Sequence, residues 1–158
     1  MIGRPKPWHD ESLPSGNGVA VRALLALGHL LGETRYLDAA ERALRAAWTH
    51  LEDHPHGHAT LLRGLAEWID PQAQVVLRLP SGDTARRWLE RARELRARGL
   101  RVFAIGEDVA DLPGLLATRS AAPGGVAYVC RGMHCLAPVR APGALREAVS
   151  SDGSAASG

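Results

Sequence analysis

The sequence predicts a mixed α+β chain in two parts, a helical lobe first and a small α/β lobe after it. Three observations carry this. Apolar residues recur at helical spacing as far as about residue 70. The period then changes, and short β-branched runs such as Val75-Val76-Leu77 appear. Finally, strand, helix and strand follow one another in that order, which implies a parallel pair joined by a crossover helix.

Residues 1–17 read as an irregular entry loop, because Pro5, Pro7 and Pro14 oppose a regular helix. The first helix is expected from about Gly18 to Leu31, with Ser15 or Asn17 as N-cap and Gly32 just past its end. Ala20, Ala23, Leu24, Leu27, Leu30 and Leu31 fit a helical period, and Val19, Val21, Leu25 and Ala26 add apolar surface on other faces, so the helix is expected to be buried on several sides. The second helix is expected from Thr34 to Leu51, striped by Tyr36, Ala40, Ala43, Leu44, Ala47 and Leu51 and widened by Leu37 and Trp48. The short Gly32-Glu33-Thr34 link makes these two a helical hairpin. A third helix, His58 to Ile69, carries Leu61, Leu62, Leu65, Ala66 and Ile69 and completes a helical lobe over 18–70.

The α/β lobe spans 71–149 and holds about three strands, at least two of them parallel. Ala73 to Leu79, Leu100 to Ile105 and Val126 to Cys130 are the strands. Thr84 to Arg98 is an amphipathic helix with Ala85, Trp88, Leu89, Ala92 and Leu95 inward, Leu112 to Ala117 a short helix, and Pro142 to Val149 a closing helix. The small, polar residues 150–158 read as a disordered tail. One hairpin and one helix cannot cover a first helix that is apolar nearly all round. The missing cover is the second lobe, another copy, or further chain, and the proline-rich start at Met1 favours further chain.

Composition excludes several function classes. Apolar residues are 46% and charged residues 23%, ordinary for a folded domain. A formal charge of +2 is too small to call for a nucleic-acid or membrane partner. The arginines of 84–101 lack an aromatic stacking platform, and i,i+4 pairs with Glu90 and Glu94 read as a laced solvent face. No apolar h-region follows Met1, and the apolar run Val19 to Leu31 is too short to span a bilayer, so a cytoplasmic location is the default.

Two clusters offer chemistry. In Pro14-Ser15-Gly16-Asn17-Gly18, with Asp10 upstream, Asp10 could supply a carboxylate, and Ser15 and Asn17 could supply hydrogen-bonding groups at a helix N-terminus. The local preference is a capped helix start. Ser15 lacks the preceding glycine of a nucleophile elbow, and Gly16-Asn17-Gly18 lacks the strand before a dinucleotide loop, so no cofactor is expected. In Cys130-Arg131-Gly132-Met133-His134-Cys135, the thiols could form a reversible disulfide, with Arg131 and His134 lowering a thiol pKa. They could instead begin a metal site with His134, His9 or the His54, His56 and His58 loop, or be inert. That histidine loop by itself reads as solvated.

Asp10, Pro14-Ser15-Gly16-Asn17, the hairpin with Tyr36 and Ala40-Glu41, and Tyr128-Val129-Cys130…Cys135…Pro138-Val139 together resemble the C-terminal end of the YyaL-like family. These are thioredoxin-domain-containing proteins related to a spermatogenesis-associated mammalian protein. The likeness runs in order from about residue 8 to about 149. It implies a thioredoxin-like domain followed by an (α/α)6 barrel similar to six-hairpin glycosidases and epimerases, of which this chain would hold the last helices and the α/β tail. It implies a partner, the missing N-terminal part of the same protein, and a carbohydrate ligand or a redox-linked role for the parent. Asp10, Ser15, Gly16 and Asn17 would line the barrel's pocket, with Asp10 the candidate acid, base or hydroxyl-binding group. Glycoside hydrolysis needs two carboxylates roughly 5–10 Å apart, and Glu11 is too close in sequence to serve as the second. Arg78-Leu79-Pro80 stands where the likeness leads one to expect a strand-ending glycine, and the cysteine motif of the thioredoxin-like part is absent. The expectation is therefore a piece that is not catalytic alone. The rivals are a thiol or metal module on Cys130 and Cys135, and a protein-interaction domain.

Overall fold

The computed structural model describes residues 7–97 and 99–154. The start of the entry loop, the expected helix end at Arg98 and the last four tail residues lie outside the described residues. The chain divides into two compact units, 1–71 and 72–158.

The first unit is three helices, α1 (Gly16–Leu31), α2 (Thr34–Asp53) and α3 (Ala59–Ile69), with a 3₁₀ turn at Pro55–Gly57 before the last. Ser15 caps α1; its backbone is extended and its Oγ accepts the Gly18 N–H at 3.1 Å. Gly32 ends the helix at φ 69°, a left-handed conformation that glycine adopts without cost, and its N–H returns to the Gly28 carbonyl. α2 buries Ala40, Leu44, Ala47 and Leu51, as its periodicity predicts, while Trp48, expected to widen that stripe, is exposed.

α1 is buried along one line and not on several sides. Its buried line is Gly18, Val21, Leu25 and Gly28, whereas Ala20, Ala23 and Leu27 are exposed. The cause is close approach at glycine. A Cβ on Gly28 would collide with the Leu37 side chain of α2, and one on Gly18 would meet Thr60 of α3 at 2.8 Å. From α3, Gly64 admits Val21 in the same way, at 2.9 Å. Apolar periodicity counts leucines and overlooks such glycines. α3 also turns differently: it buries Leu61, Gly64 and Glu67, while Ala66 and Ile69 are exposed. Glu67 is held by Arg22, whose Nε and Nη2 each lie 2.9 Å from Oε1.

The second unit is a four-stranded sheet in the order β2-β1-β3-β4, with β1 (Ala73–Leu79), β2 (Arg101–Gly106), β3 (Val126–Arg131) and β4 (His134–Cys135). β1 and β2 are parallel; β3 runs antiparallel to β1, and β4 to β3. β4 is a fourth strand, where about three were expected. β1 is paired on both edges and all seven of its residues are buried. α4 (Asp83–Ala97) lays Trp88, Ala92 and Leu95 on one sheet face, against Val75, Leu77, Leu79, Ala127 and Val129, whereas Leu89, expected inward with them, is exposed. The Trp88 indole donates to the Gly124 carbonyl at 2.9 Å. The expected short helix is a 3₁₀ turn at Gly114–Thr118. A 3₁₀ turn at Pro142–Ala144 leads into α5 (Leu145–Ser154), so residues 150–154 are helical and not part of a disordered tail.

Arg86 pairs with Asp83 and Arg91 with Glu94, both at i,i+3, and the expected i,i+4 partner of Glu94, Arg98, lies outside the described residues. No helix among the described residues is long and apolar enough to cross a membrane.

Candidate functional site

The Asp10 cluster lies in the first unit and is used internally. Asp10 Oδ1 accepts the Ser15 N–H at 2.7 Å, and Oδ2 accepts the Thr60 N–H at 2.8 Å. One carboxylate thus ties the start of α1 to the start of α3, where helix N-terminal amides need acceptors. Burial opposes ionisation and is the largest single influence. The hydrogen bonds from Ser15 and Thr60 together outweigh it and hold the carboxyl below its ordinary range. A group in that state is a poor proton donor near neutrality. Ser15 is buried with its hydroxyl on Gly18, and Asn17 Nδ2 donates to the Pro7 carbonyl at 3.1 Å. A Cβ added to Gly16 would meet open space.

The histidine loop is also internal in part. His58 is buried and its Nδ1 lies 2.7 Å from the His54 carbonyl, while His54 and His56 are exposed. Among the described residues no three His, Cys, Asp or Glu side chains gather as a metal set.

In the second unit, the cysteines face one another across the β3–β4 hairpin and are joined as a disulfide. Gly132, at φ 56°, opens the two-residue turn between the strands. Oxidised in this way, neither sulfur offers a metal a thiolate. Cys135 is exposed and Cys130 nearly buried, and His134 is exposed beside them. The guanidinium on the sulfurs is that of Arg119. Its Nη2 lies 2.8 Å from Cys135 Sγ and 3.4 Å from Cys130 Sγ. It also stacks over the Tyr128 ring at 5.0 Å, and Tyr128 is anchored by its hydroxyl on the Ser120 carbonyl at 2.8 Å.

The sheet explains this grouping. β1 residues alternate between faces, and Trp88 packs on the face of Val75, Leu77 and Leu79. Gln74, Val76 and Arg78 therefore point the other way, and they stand opposite Cys130, Tyr128 and Val126 of β3. The loop after β2 returns Arg119 to that second face. Arg78 is buried there, with Nη2 donating to the Val109 and Glu107 carbonyls at 2.9 and 3.3 Å. Its Nε and Nη1 are sealed and have no acceptor among the described residues. Arg78, Val109, Asp111, Leu116, Arg119 and Ser120 line a cavity of about 540 Å³.

Sequence reasoning looked to Arg131 and His134 as the groups beside the thiols. Arg119 was missed because its proximity depends on the β2–β3 loop, which carries no periodic signal. Arg78 was noticed only as a departure from an expected glycine. An arginine inside a run as apolar as Val75-Val76-Leu77-Arg78-Leu79 was the available signal. No protein-family model, curated protein or solved structure matches this chain.

Proposed function

We propose that this chain is the C-terminal part of a YyaL-like thioredoxin-domain-containing protein, that it supplies the last helices of an (α/α) barrel, and that it is not catalytic alone. One observation carries the reading. The glycine line of α1 faces α2 and α3, and the opposite side of the helix is left apolar and open. Val19 is 50% and Leu27 40% exposed. Exposed apolar residues that share one helix face call for cover, and the neighbouring hairpins of a barrel would provide it. The N-terminal part of the same protein is thus the partner, the parent acts on a carbohydrate or is redox-linked, and the location is cytoplasmic. The internal use of Asp10 fits a piece whose reacting groups lie elsewhere.

The gene tests this. An open reading frame extending upstream of Met1 through further helical hairpins and a thioredoxin-like domain is the expected result. An in-frame stop codon directly upstream sinks it. At the protein level the chain should bind a hydrophobic dye and associate as concentration rises, and Leu27→Glu should suppress both. A dilute, stable monomer that binds no dye counts against the reading.

The Arg119 contacts favour a second reading, a reversible disulfide. A dithiol reductant would attack the exposed Cys135 sulfur through its thiolate. The S–S bond breaks, Cys130 leaves as a thiolate beside Arg119, and a mixed disulfide forms. The reductant's second thiolate then attacks its own bound sulfur and releases Cys135. The reductant ends as a disulfide and the cysteine pair has gained two electrons. A guanidinium at the leaving sulfur favours the thiolate, and exposed disulfides in a reducing compartment are characteristically transient or redox-sensing. Thiol counting should find no thiol before reduction and two after it, and Arg119→Gln should slow the reaction. Equal rates in both proteins would remove Arg119 from the account.

A further inference from the structure

We propose that the open edge of β2 binds an extended acidic peptide of another protein, added to the sheet as an antiparallel strand. The inference is independent of the barrel reading and of the chemistry of the disulfide.

The two edges of the sheet differ. β4 closes one edge and is two residues long. β2 forms the other with six residues, and Val102 to Gly106 carry no charge and no proline. Proteins ordinarily blunt a sheet edge with short strands, charges or proline, because its unpaired N–H and C=O groups are a template for another strand. The Glu107 N–H donates to the Leu79 carbonyl of β1. The odd residues of β2 therefore bond inwards, and the even ones, Val102, Ala104 and Gly106, face outwards. Arg96 takes the Val102 carbonyl at 2.9 Å, and the Val109 N–H takes the Gly106 carbonyl at 3.3 Å. Ala104, between them, is exposed, and its N–H and C=O have no outward partner among the described residues.

A hollow beside this edge sets the chemistry of the occupant. Leu89, Ala92, Arg93 and Arg96 share one face of α4 at helical spacing, and with Val102 and Ala104 they line about 290 Å³. Small-molecule sites run from roughly 300 to 1,000 Å³, so this space suits a side chain of a docked strand better than a whole ligand. Val102 and Ala104 stand beside Val75 and Leu77, which places their side chains on the α4 face of the sheet. A peptide residue that exchanges both bonds with Ala104 projects to the same face, into the hollow and against Leu89, which is 38% exposed.

Charge fixes the rest. Arg96 reaches the Val102 end of the strand. An antiparallel peptide passes Ala104 first and Val102 two residues later, so that later residue meets Arg93 and Arg96. Both arginines are exposed, and the ion pairs of α4 among the described residues use other side chains. Asp108 sits at the opposite, Gly106 end. The fitting sequence is thus an apolar residue followed two positions later by aspartate or glutamate. A second copy fits less well, because pairing β2 with β2 sets two arginine faces side by side, and like charges oppose that.

The test titrates the full 158-residue chain against a capped, threonine-rich peptide carrying leucine and, two residues on, glutamate, followed by fluorescence anisotropy. Saturable binding is expected, with new hydrogen-exchange protection at the Ala104 amide. Peptides with the leucine and glutamate exchanged, or with lysine for glutamate, should bind at least about fivefold more weakly. Ala104→Pro keeps the inward ladder, since the lost N–H points away from β1, and should weaken binding about tenfold. Arg93→Glu, on the exposed rim, should weaken it about threefold or more, by a factor that shrinks as salt rises. It keeps the test open if Ala104→Pro fails to fold. Arg140→Glu makes the same charge change next to Val139, on the far side of β3, and should bind as the parent does. Absence of saturable binding up to about a millimolar overturns the proposal, as does equal binding of the lysine or exchanged peptide, or binding that Ala104→Pro leaves intact. Self-association that Ala104→Pro abolishes and Leu27→Glu does not would give the edge to a second copy and overturn it too.

Discussion

The two units treat their polar groups in opposite ways. In the helical unit, the conspicuous polar residues are consumed by the fold: Asp10 has an amide on each oxygen, Ser15 caps α1, and buried Glu67 has Arg22. What that unit leaves unsatisfied is apolar, the outer side of α1. In the α/β unit the apolar surface is well closed around β1 and Trp88, and what remains open is polar, the outward backbone of β2. Density of polar residues in a sequence is thus a poor guide to a site. The unpaired remainder is a better one, because an open face or edge is where another chain can bind.

The largest effects should separate the units by how each is packed. Trp88→Ala empties a fully buried indole and strands the Gly124 carbonyl. It should cost about 3–5 kcal/mol, with hydrogen-exchange protection lost across β1 and β3. Unchanged protection there would break the assignment of Trp88 to that core. In the helical unit the glycines give the sharper contrast. Gly28→Val drives a branched side chain into Leu37 and should cost roughly 1–3 kcal/mol or more. Gly16→Ala meets open space and should leave stability level or raise it by up to about 1 kcal/mol. Denaturant midpoints that move alike for both would refute glycine-mediated packing.

These contrasts also show what the sequence could disclose. The order of elements, the parallel pair and the inward face of α2 were legible, since they rest on periodicity and on residue types of strong preference, such as Leu44, Leu51 and Val75-Val76. The rotation of α1 was not. Its direction is set by three glycines on two helices, and no single helix carries that information. The Ser15 cap was legible because capping is local. The use of both Asp10 oxygens was not, because Thr60 comes from 50 residues away. The pairing of Cys130 with Cys135 stood among the sequence alternatives, whereas Arg119 required the path of a loop.

An intermediate effect sharpens the comparison at the disulfide. The bridge closes a loop of only six residues, for which the chain-entropy argument gives about 2 kcal/mol, against about 4.7 for a hundred-residue loop. The double variant Cys130→Ser with Cys135→Ser should therefore lower the stability of the α/β unit by about 2 kcal/mol or less and leave it folded. A loss well beyond that, or a failure to fold, would mark the bridge as a structural staple and weaken the redox reading.

A small, pH-dependent effect is the most discriminating for the helical unit. Asp10→Asn keeps the shape of the side chain and removes its charge, so it should cost about 1–2 kcal/mol at neutral pH, at the lower end for hydrogen bonds to a charged group. The folded-state pKa of Asp10 lies below its ordinary value of 3.8. Between the two values the unfolded chain binds the extra proton, so stability rises with pH through that window. The stabilisation is fully present above the ordinary value and is lost as pH falls through the lowered one. Parent and Asp10→Asn should therefore differ at pH 6 and converge towards pH 2. A parallel offset at every pH would mean that the variant disturbs packing instead, and Asp10 would again be open to a role beyond holding two helices together.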